Sequence, residues 1–373
     1  MLRFEALNAK HGDAFLLQFG TGKNKRLWII DGGPRGTWKH LRRRLEDIKG
    51  EAEELTVDLA MLSHVDDDHV AGVLEMMKSI TSSGKTAAKY LDIRKFWHNS
   101  FSDLVGSEAE MQRATASLSA MKQKVTATLS NARPQLHVDG STLDERAIAV
   151  FASIDQGREL RDYLEQLKLS GNDPFGGTIS SKSGRKPVNE AMVTVLGPIA
   201  ERLEAFRTEW KKAVARGASI ASLFRDDLDE SPTNLSSLVL LVEVDGKKIL
   251  LTGDARGDDI VDGFNEVMPH AQLPMKLDIL KMPHHGSDRN MTEIFLKAFP
   301  ADHYVISADG KYGNPDAETV KAIVQTRHND KYTIHFTNTV AELPELMEKL
   351  SKGKQFEYEF GEGDAPALTI ELR

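Results

Sequence analysis

The chain has 373 residues, of which 40% are hydrophobic and 28% charged, with a formal net charge of −8 and no cysteine. This length and apolar content suit one large α/β domain with an insertion, or two smaller domains, and exclude disorder on a large scale, while the lack of cysteine excludes disulfides and cysteine-zinc structural sites. The acidic balance excludes nucleic-acid binding through a generally basic surface, so metal ions and a local basic patch would have to supply the positive charge for any phosphodiester.

In chain order, Leu2–Ala9 and Ala14–Phe19 read as two strands around a turn at His11-Gly12-Asp13. The first residues form no basic-then-apolar leader and no run approaches the roughly 20 apolar residues of a membrane span, so a cytoplasmic protein with no membrane association is expected. Arg26–Asp31 predicts a buried strand ending in Asp-Gly-Gly-Pro, Thr37–Lys49 a basic amphipathic helix, Val57–Ser63 a core strand, and Ile93–His98 a further strand; a helix runs between the last two from near Asp68 to about Ile80. Residues 101–190 differ. Glu108–Leu129 and Glu145–Leu169 have helical periodicity, and Asn172–Glu190, rich in Gly, Ser and Pro, reads as a loop. We read this block as a mostly helical insertion, able to lie over an active site, within one domain spanning 1–373.

Alternation resumes with strand Met192–Leu196, helix Ala200–Arg216 and a polar connector, Arg225–Pro232. Leu235–Val244 and Lys247–Thr252 form a hairpin around Asp245-Gly246. Then come helix Asp258–Val267, strand Leu277–Met282, helix Thr292–Phe299, strand His303–Ser307, helix Ala317–Thr326, strand Thr333–Asn338, helix Leu343–Leu350, and strands Phe356–Phe360 and Ala367–Leu372. No repeat of fixed period is present. Strand-rich halves on either side of the insertion fit two sheets packed face to face, with helices outside.

Three segments carry chemistry. His64-Val65-Asp66-Asp67-Asp68-His69 follows a core strand and opens a helix. Burying carboxylates and imidazoles in one tight turn calls for something positive between them, and a divalent metal is the simplest answer; imidazole with carboxylate suits zinc or manganese. The alternative is a solvated acidic turn that caps the helix. Asp254 ends an apolar strand in a Gly-Asp turn, where a carboxylate can bridge two metals; otherwise it is a turn residue with a backbone role. His284 and His285 directly follow strand Leu277–Met282; otherwise one packs and the other faces solvent. All three place ligand-type side chains at the C-terminal end of an apolar strand, the edge where functional loops of α/β sheets gather.

This set resembles the metallo-β-lactamase superfamily, whose motif is His-x-His-x-Asp-His; here Asp66 stands in place of the second His. That version looks like the branch containing the hydrolase domain of the ComEC-type DNA-competence proteins. Further matching pieces are His11-Gly12-Asp13-Ala14, Asp31-Gly32-Gly33, Val193 to Pro198, Asn234 to Val239, Leu250 to Asp254, Pro283 to Ser287, and Ser307 with Tyr312-Gly313-Asn314-Pro315. The resemblance implies an αββα sandwich of two mixed sheets with outer helices, and two divalent ions, Zn2+ or Mn2+. It also implies roles: His64 and Asp66 on one metal, Asp68 and His69 on the second, Asp254 bridging, and His285 rather than His284 completing the second site. Asp31 looks like the superfamily's bracing Asp. The chain departs from the pattern at Asn234-Leu235-Ser236-Ser237, where relatives often supply a further His, and at Asn314, where many have His.

The expected activity is hydrolysis by water activated between two metals, with Asp68 or Asp254 orienting that water and His284 protonating the leaving group. Ser287, Asn314, Asn234 and His98 are candidate substrate contacts. The branch points to DNA or RNA phosphodiesters. Local support comes from Lys182, Arg185 and Lys186, from Lys39, Arg42, Arg43 and Arg44, and from Phe96, Trp97 and Phe175 as stacking candidates, against solvated faces and core packing as the plainer explanations. Two other functions stay open: a hydrolase of a small phosphoester, lactone or amide, and a non-catalytic metal-binding protein that docks a partner through its insertion.

Overall fold

The computed structural model describes residues 2–84, 87–99, 141–169, 171–215, 232–362 and 366–373. Its first half is built from short apolar strands that pair locally. Strands β1 (Leu2–Ala6), β2 (Phe15–Phe19) and β3 (Arg26–Ile30) form an antiparallel meander. After helix α1 (Trp38–Lys49) the expected strand 57–63 divides into β4 (Leu55–Val57) and β5 (Leu59–Met61). Asp58 causes the break: its carboxylate accepts from Leu27 N (3.0 Å) and binds Arg26, so the chain steps sideways between two sheets. Helix α2 (Asp67–Thr81) follows, then β6 (Leu91–Ile93) and β7 (Phe96–Trp97), which divide the expected strand 93–98 in the same way. β4 pairs with β6 as a small separate sheet, while β5 lies parallel between β3 and β7.

Helix α3 (Ser141–Gln166) represents the insertion; the expected helix 108–129 and nearly all of the connector 225–232 lie outside the described residues. The stretch 172–190, expected as loop, contains strand β8 (Arg185–Val188), which turns at Asn189 (φ 52°) into β9 (Ala191–Gly197). β8 is an edge strand, where a proline and charged side chains are tolerated. After α4 (Ala200–Ala215) the second sheet continues with β10 (Val239–Val244) and β11 (Lys247–Leu251), then with β12 (Leu277–Lys281), β13 (Ala301–Ile306), β14 (Thr333–Phe336) and β15 (Glu357–Phe360) in parallel. Helices α5 (Gly257–Val267), α6 (Glu293–Ala298), α7 (Ala317–Arg327) and α8 (Leu343–Ser351) connect them, and β16 (Leu368–Leu372) returns to pair with β1.

Two mixed sheets of six and eight strands result. Phe4, Phe15, Trp28 and Leu59 of the first meet Val193, Leu240, Ile249 and Ile279 of the second in a shared core. On the outer face of the first sheet, Leu41, Leu45, Val73, Met77, Leu160 and Leu164 bring in α1, α2 and α3. Ile260, Phe264, Phe295, Val320 and Met347 do the same for α5 to α8 on the second. Each such large side chain contributes about 1.5–3 kcal/mol by leaving water. The chain is therefore α/β, with helices on the outer faces of two packed sheets. No described helix is long and apolar enough to cross a membrane.

Helix α2 presses its backbone onto the loop after β3. A Cβ on Gly72 would lie 1.9 Å from the carbonyl oxygen of Gly32. Gly72→Ala should therefore lower stability by about 1–3 kcal/mol through overpacking, although alanine is the better helix former; a urea midpoint equal to wild type or higher would show that the helix can move away.

Candidate metal centre

Four loops converge at the C-terminal ends of β3, β5, β11 and β12. Asp31 follows β3 with φ 58°, a left-handed conformation that turns its carboxylate back over the end of β5. There it accepts from Ser63 N (2.6 Å), Ser63 Oγ (2.8 Å) and His69 Nδ1 (3.0 Å). Because the Ser63 hydroxyl proton is committed to Asp31, its oxygen takes the Nδ1 proton of His64 at 3.1 Å. His285 donates from Nδ1 to the carbonyl of Ser307 (2.9 Å). Each of the three imidazoles is thus oriented through Nδ1, leaving Nε2 as the inward ligand atom.

Those inward atoms are buried and lack hydrogen-bond partners: His64 Nε2, His69 Nε2, His285 Nε2 and Asp254 Oδ1. Orphaned polar atoms cost about 1–3 kcal/mol each when left unmet, and a cation among them satisfies all at once. The donors form overlapping groups, His64–His69–Asp254 and Asp68–His69–His285, each with ligand atoms within 4.8 Å of one another. Asp254 stands at the centre, 3.4 Å from His69 Nε2, 3.4 Å from His285 Nε2 and 3.8 Å from His64 Nε2. These buried His and Asp groups fit a metal in donor type and orientation.

Of the expected ligands, the structure brings together His64, Asp68, His69, Asp254 and His285. Asp66 lies outside the convergent groups. One of its oxygens is 3.6 Å from His64 Nε2, and the other accepts from Ser153 of α3 (2.8 Å). The insertion therefore touches the ligand loop directly, and Gln156 adds a bond to Asp67 (2.7 Å). His284 also lies outside those groups, with Nε2 3.6 Å from Asp254 and Nδ1 held by Asn290 Oδ1 (2.8 Å). His284 and His285 both take left-handed backbone (φ 46° and 56°), unusual for two successive non-glycine residues and a conformation that costs energy.

The four substrate candidates are distributed differently. Asn314 donates to the His284 carbonyl (3.3 Å), and Ser287 N to the same oxygen (2.9 Å), so both brace the histidine loop. Asn234 lines a small cavity with Arg202 and Asp259, and Ser237 accepts from Asp254 N (3.1 Å). His98 packs on Phe96 and is held at both main-chain groups by the Asn172 amide. The stacking candidates Phe96 and Trp97 are buried, Trp97 against Trp28; Phe175 packs on Trp97 under Lys186. Among the basic candidates, Arg44 binds Glu5, Arg42 binds Glu46 and Arg185 binds Glu243. Packing and ion pairing occupy these groups.

Two residues went unassigned by sequence reasoning. Lys281, the last residue of β12, is 1% exposed, donates to the Gly253 carbonyl (2.8 Å), contacts Asp13 and lies 3.6 Å from Asp254. Asp13 lies 3.3 Å from His285 Nδ1 and 3.9 Å from His69 Nδ1. Asp13 had one available signal, its place in a turn rich in matching residues; Lys281, at the end of a strand that also holds Asp278, had none.

The cluster's electrostatics follow from burial and proximity. Burial, reinforced by the charge on His69, pushes His64 down to about 3 and keeps it neutral. Burial works against His69 and His285, yet Asp254 with its acidic neighbours holds both well above the ordinary histidine value. Burial likewise opposes ionisation of Asp254 and Asp68, and the facing imidazoles hold both below the ordinary carboxylate value. Without metal, His69 and His285 therefore carry the positive charge a metal would bring.

A metal must displace those protons. Calorimetry in buffers of differing ionisation enthalpy should show release of about two protons on metal uptake at neutral pH. The raised imidazoles stabilise the metal-free fold fully below about pH 6.5, the unfolded histidine value, and this is lost as pH climbs through their higher folded values. The gain in Tm on adding metal should accordingly widen from pH 6 to 9; a constant gain would mean the histidines are not the ligands.

No family model matches the chain. A stretch of 97 residues is 32% identical to ComE operon protein 3 of Bacillus subtilis (strain 168), covering 26% of this chain and 12% of that protein.

Proposed function

We propose that the chain is a metal-dependent hydrolase with the metallo-β-lactamase fold, holding two divalent ions, Zn2+ or Mn2+, and cutting phosphodiesters of DNA or RNA. The observation that carries this reading is the convergence of the buried Asp254 carboxylate, its Oδ1 without a hydrogen bond, on imidazoles already oriented through Nδ1. Two packed sheets with outer helices, and ligands at the C-terminal strand edges, are what that fold requires. The partial likeness to ComE operon protein 3 supports the competence-protein branch.

On this reading His64, Asp66, Asp68, His69, Asp254 and His285 would hold the ions. Bound there, the ions would lower the pKa of a shared water toward about 7 and offset charge developing on the substrate's oxygens. Asp31 and Ser63 fix the rings of His69 and His64, and Ser307 fixes that of His285. His284, steadied at Nδ1 by Asn290 and reaching toward solvent, can hold a proton at Nε2 for the departing oxygen. Lys281 anchors Asp254 and Asp13 from beneath, so their carboxylates keep their place as the charge above them changes.

Purified protein supplemented with Mn2+ or Zn2+ should cleave single-stranded DNA, duplex DNA or RNA, and the double variant Asp68→Ala/His69→Ala should lose this turnover by at least about 100-fold. Cleavage of a nitrophenyl phosphodiester alone would transfer the proposal to a small substrate. Full activity in the double variant would refute the cage, and no turnover with metal bound would leave a docking protein.

A further inference from the structure

Beside the centre lies a small rim whose chemistry the cage does not use. Among the described residues, Tyr312 is the aromatic side chain that stands mostly in solvent, 69% exposed. The Lys311 ammonium sits over its ring, 4.7 Å from the centroid, and the His11 ring stands nearly perpendicular to it, 5.2 Å away between centroids. Lys311 Nζ lies 3.4 Å from His11 Nε2. An ammonium can only donate, so His11 accepts at Nε2 and keeps its proton on Nδ1. Among the described residues no carboxylate lies within ion-pair distance of Lys311, unlike the arginines at positions 42, 44 and 185.

This rim is tied to the centre from both sides. Asp13 N donates to the Asp68 carbonyl (3.2 Å), and Ser307 Oγ donates to the Gly12 carbonyl (2.7 Å). A Cβ on Gly12 would lie 1.9 Å from that same Asp68 oxygen, so the His11 loop rests directly on the ligand loop. On the other side, Asn314 is fastened to the His284 carbonyl and Ser307 to His285. Tyr312 and Lys311 lie between these two anchors. A rigid ring standing mostly in solvent with an ammonium beside it offers what one nucleotide needs, since any base has a π-face to stack and each base brings an anionic phosphate.

We propose that Tyr312, Lys311 and His11 form a nucleotide subsite beside the metal centre, in which an unpaired base stacks on Tyr312 and its phosphate meets Lys311, so that the preferred substrate is single-stranded nucleic acid. A base inside a duplex has both faces covered and cannot make this contact. The inference rests on the phosphodiesterase reading above and narrows its substrate.

The test is fluorescence anisotropy of end-labelled oligo(dT), and of an abasic oligomer of equal length, with full-length protein in chelator so that nothing is cut. Wild type should bind the base-bearing strand more tightly. Tyr312→Ala should weaken oligo(dT) binding about tenfold and erase the preference over the abasic strand, with Tyr312→Trp restoring it. Lys311→Gln should weaken both strands and reduce the slope of log K against log salt by roughly 0.7. If wild type binds and, with metal, cuts oligo(dT) while Tyr312→Ala binds it equally well, the subsite is wrong and the nuclease reading stands. If wild type neither binds nor cuts any oligonucleotide, the nuclease reading fails and the subsite with it.

Discussion

Asp254→Asn should abolish stoichiometric metal binding and lower the stability of the metal-free protein by about 3 kcal/mol, the scale expected when one partner of a buried charge cluster is removed. The side chain is 3% exposed and lies within 4 Å of His64, His69, His285, His284 and Lys281. An amide in its place keeps the shape but supplies no charge. Without the carboxylate, His69 and His285 lose the main influence that keeps them protonated against burial, and Lys281 keeps Asp13 as its one acidic contact among the described residues. Elemental analysis after dialysis against Zn2+ or Mn2+, with urea denaturation in chelator, reads both effects. Wild-type metal content in this variant would remove Asp254 from the centre of the site.

Lys281→Met should have an effect of similar size on a different observable. Burial would strip this ammonium of its proton, but Asp13 and Asp254 hold its pKa above the ordinary lysine value. Methionine fills much the same volume and leaves Asp13 and Asp254 with the His69 and His285 charges but without the ammonium between them. The metal-free variant should be destabilised by about 3–5 kcal/mol, and saturating metal should recover much of the loss, because a divalent ion neutralises the same carboxylates. Adding Asp13→Asn to Lys281→Met should restore part of the stability, since it removes one of the two carboxylates that lost the ammonium. Additive losses in this double-mutant cycle would show that the lysine is held by packing alone.

The α/β class, the order of most elements and the convergence of three segments rich in His and Asp are legible in the sequence because each segment comes just after an apolar strand. Asp254, His285 and His64 announce themselves by that adjacency, and His69 by standing in the first turn of the helix that follows. What stays hidden depends on tertiary placement. A lysine ending a strand ordinarily reaches out to solvent, so nothing local marks Lys281 as buried; that follows only once Asp13, 268 residues earlier, folds over it. Asp58 breaks an expected strand because its carboxylate caps the end of a neighbouring one, a contact no periodicity encodes. The Gly, Ser and Pro of 172–190 mask a genuine edge strand. Aromatic and basic residues are ambiguous for a different reason, since Trp97 and Arg44 have chemistry equally suited to a ligand and to a core or an ion pair.

The successive left-handed residues His284 and His285 have a mechanical consequence. The chain would relax from that geometry if nothing gripped it, and what grips it is the anchoring of the two rings to Ser307, Asn290 and the central carboxylate. The histidines therefore act as a latch for the loop that Asn314 ties to them. Breaking those anchors would free more than two side chains: the neighbouring turn with its outward tyrosine would slacken too.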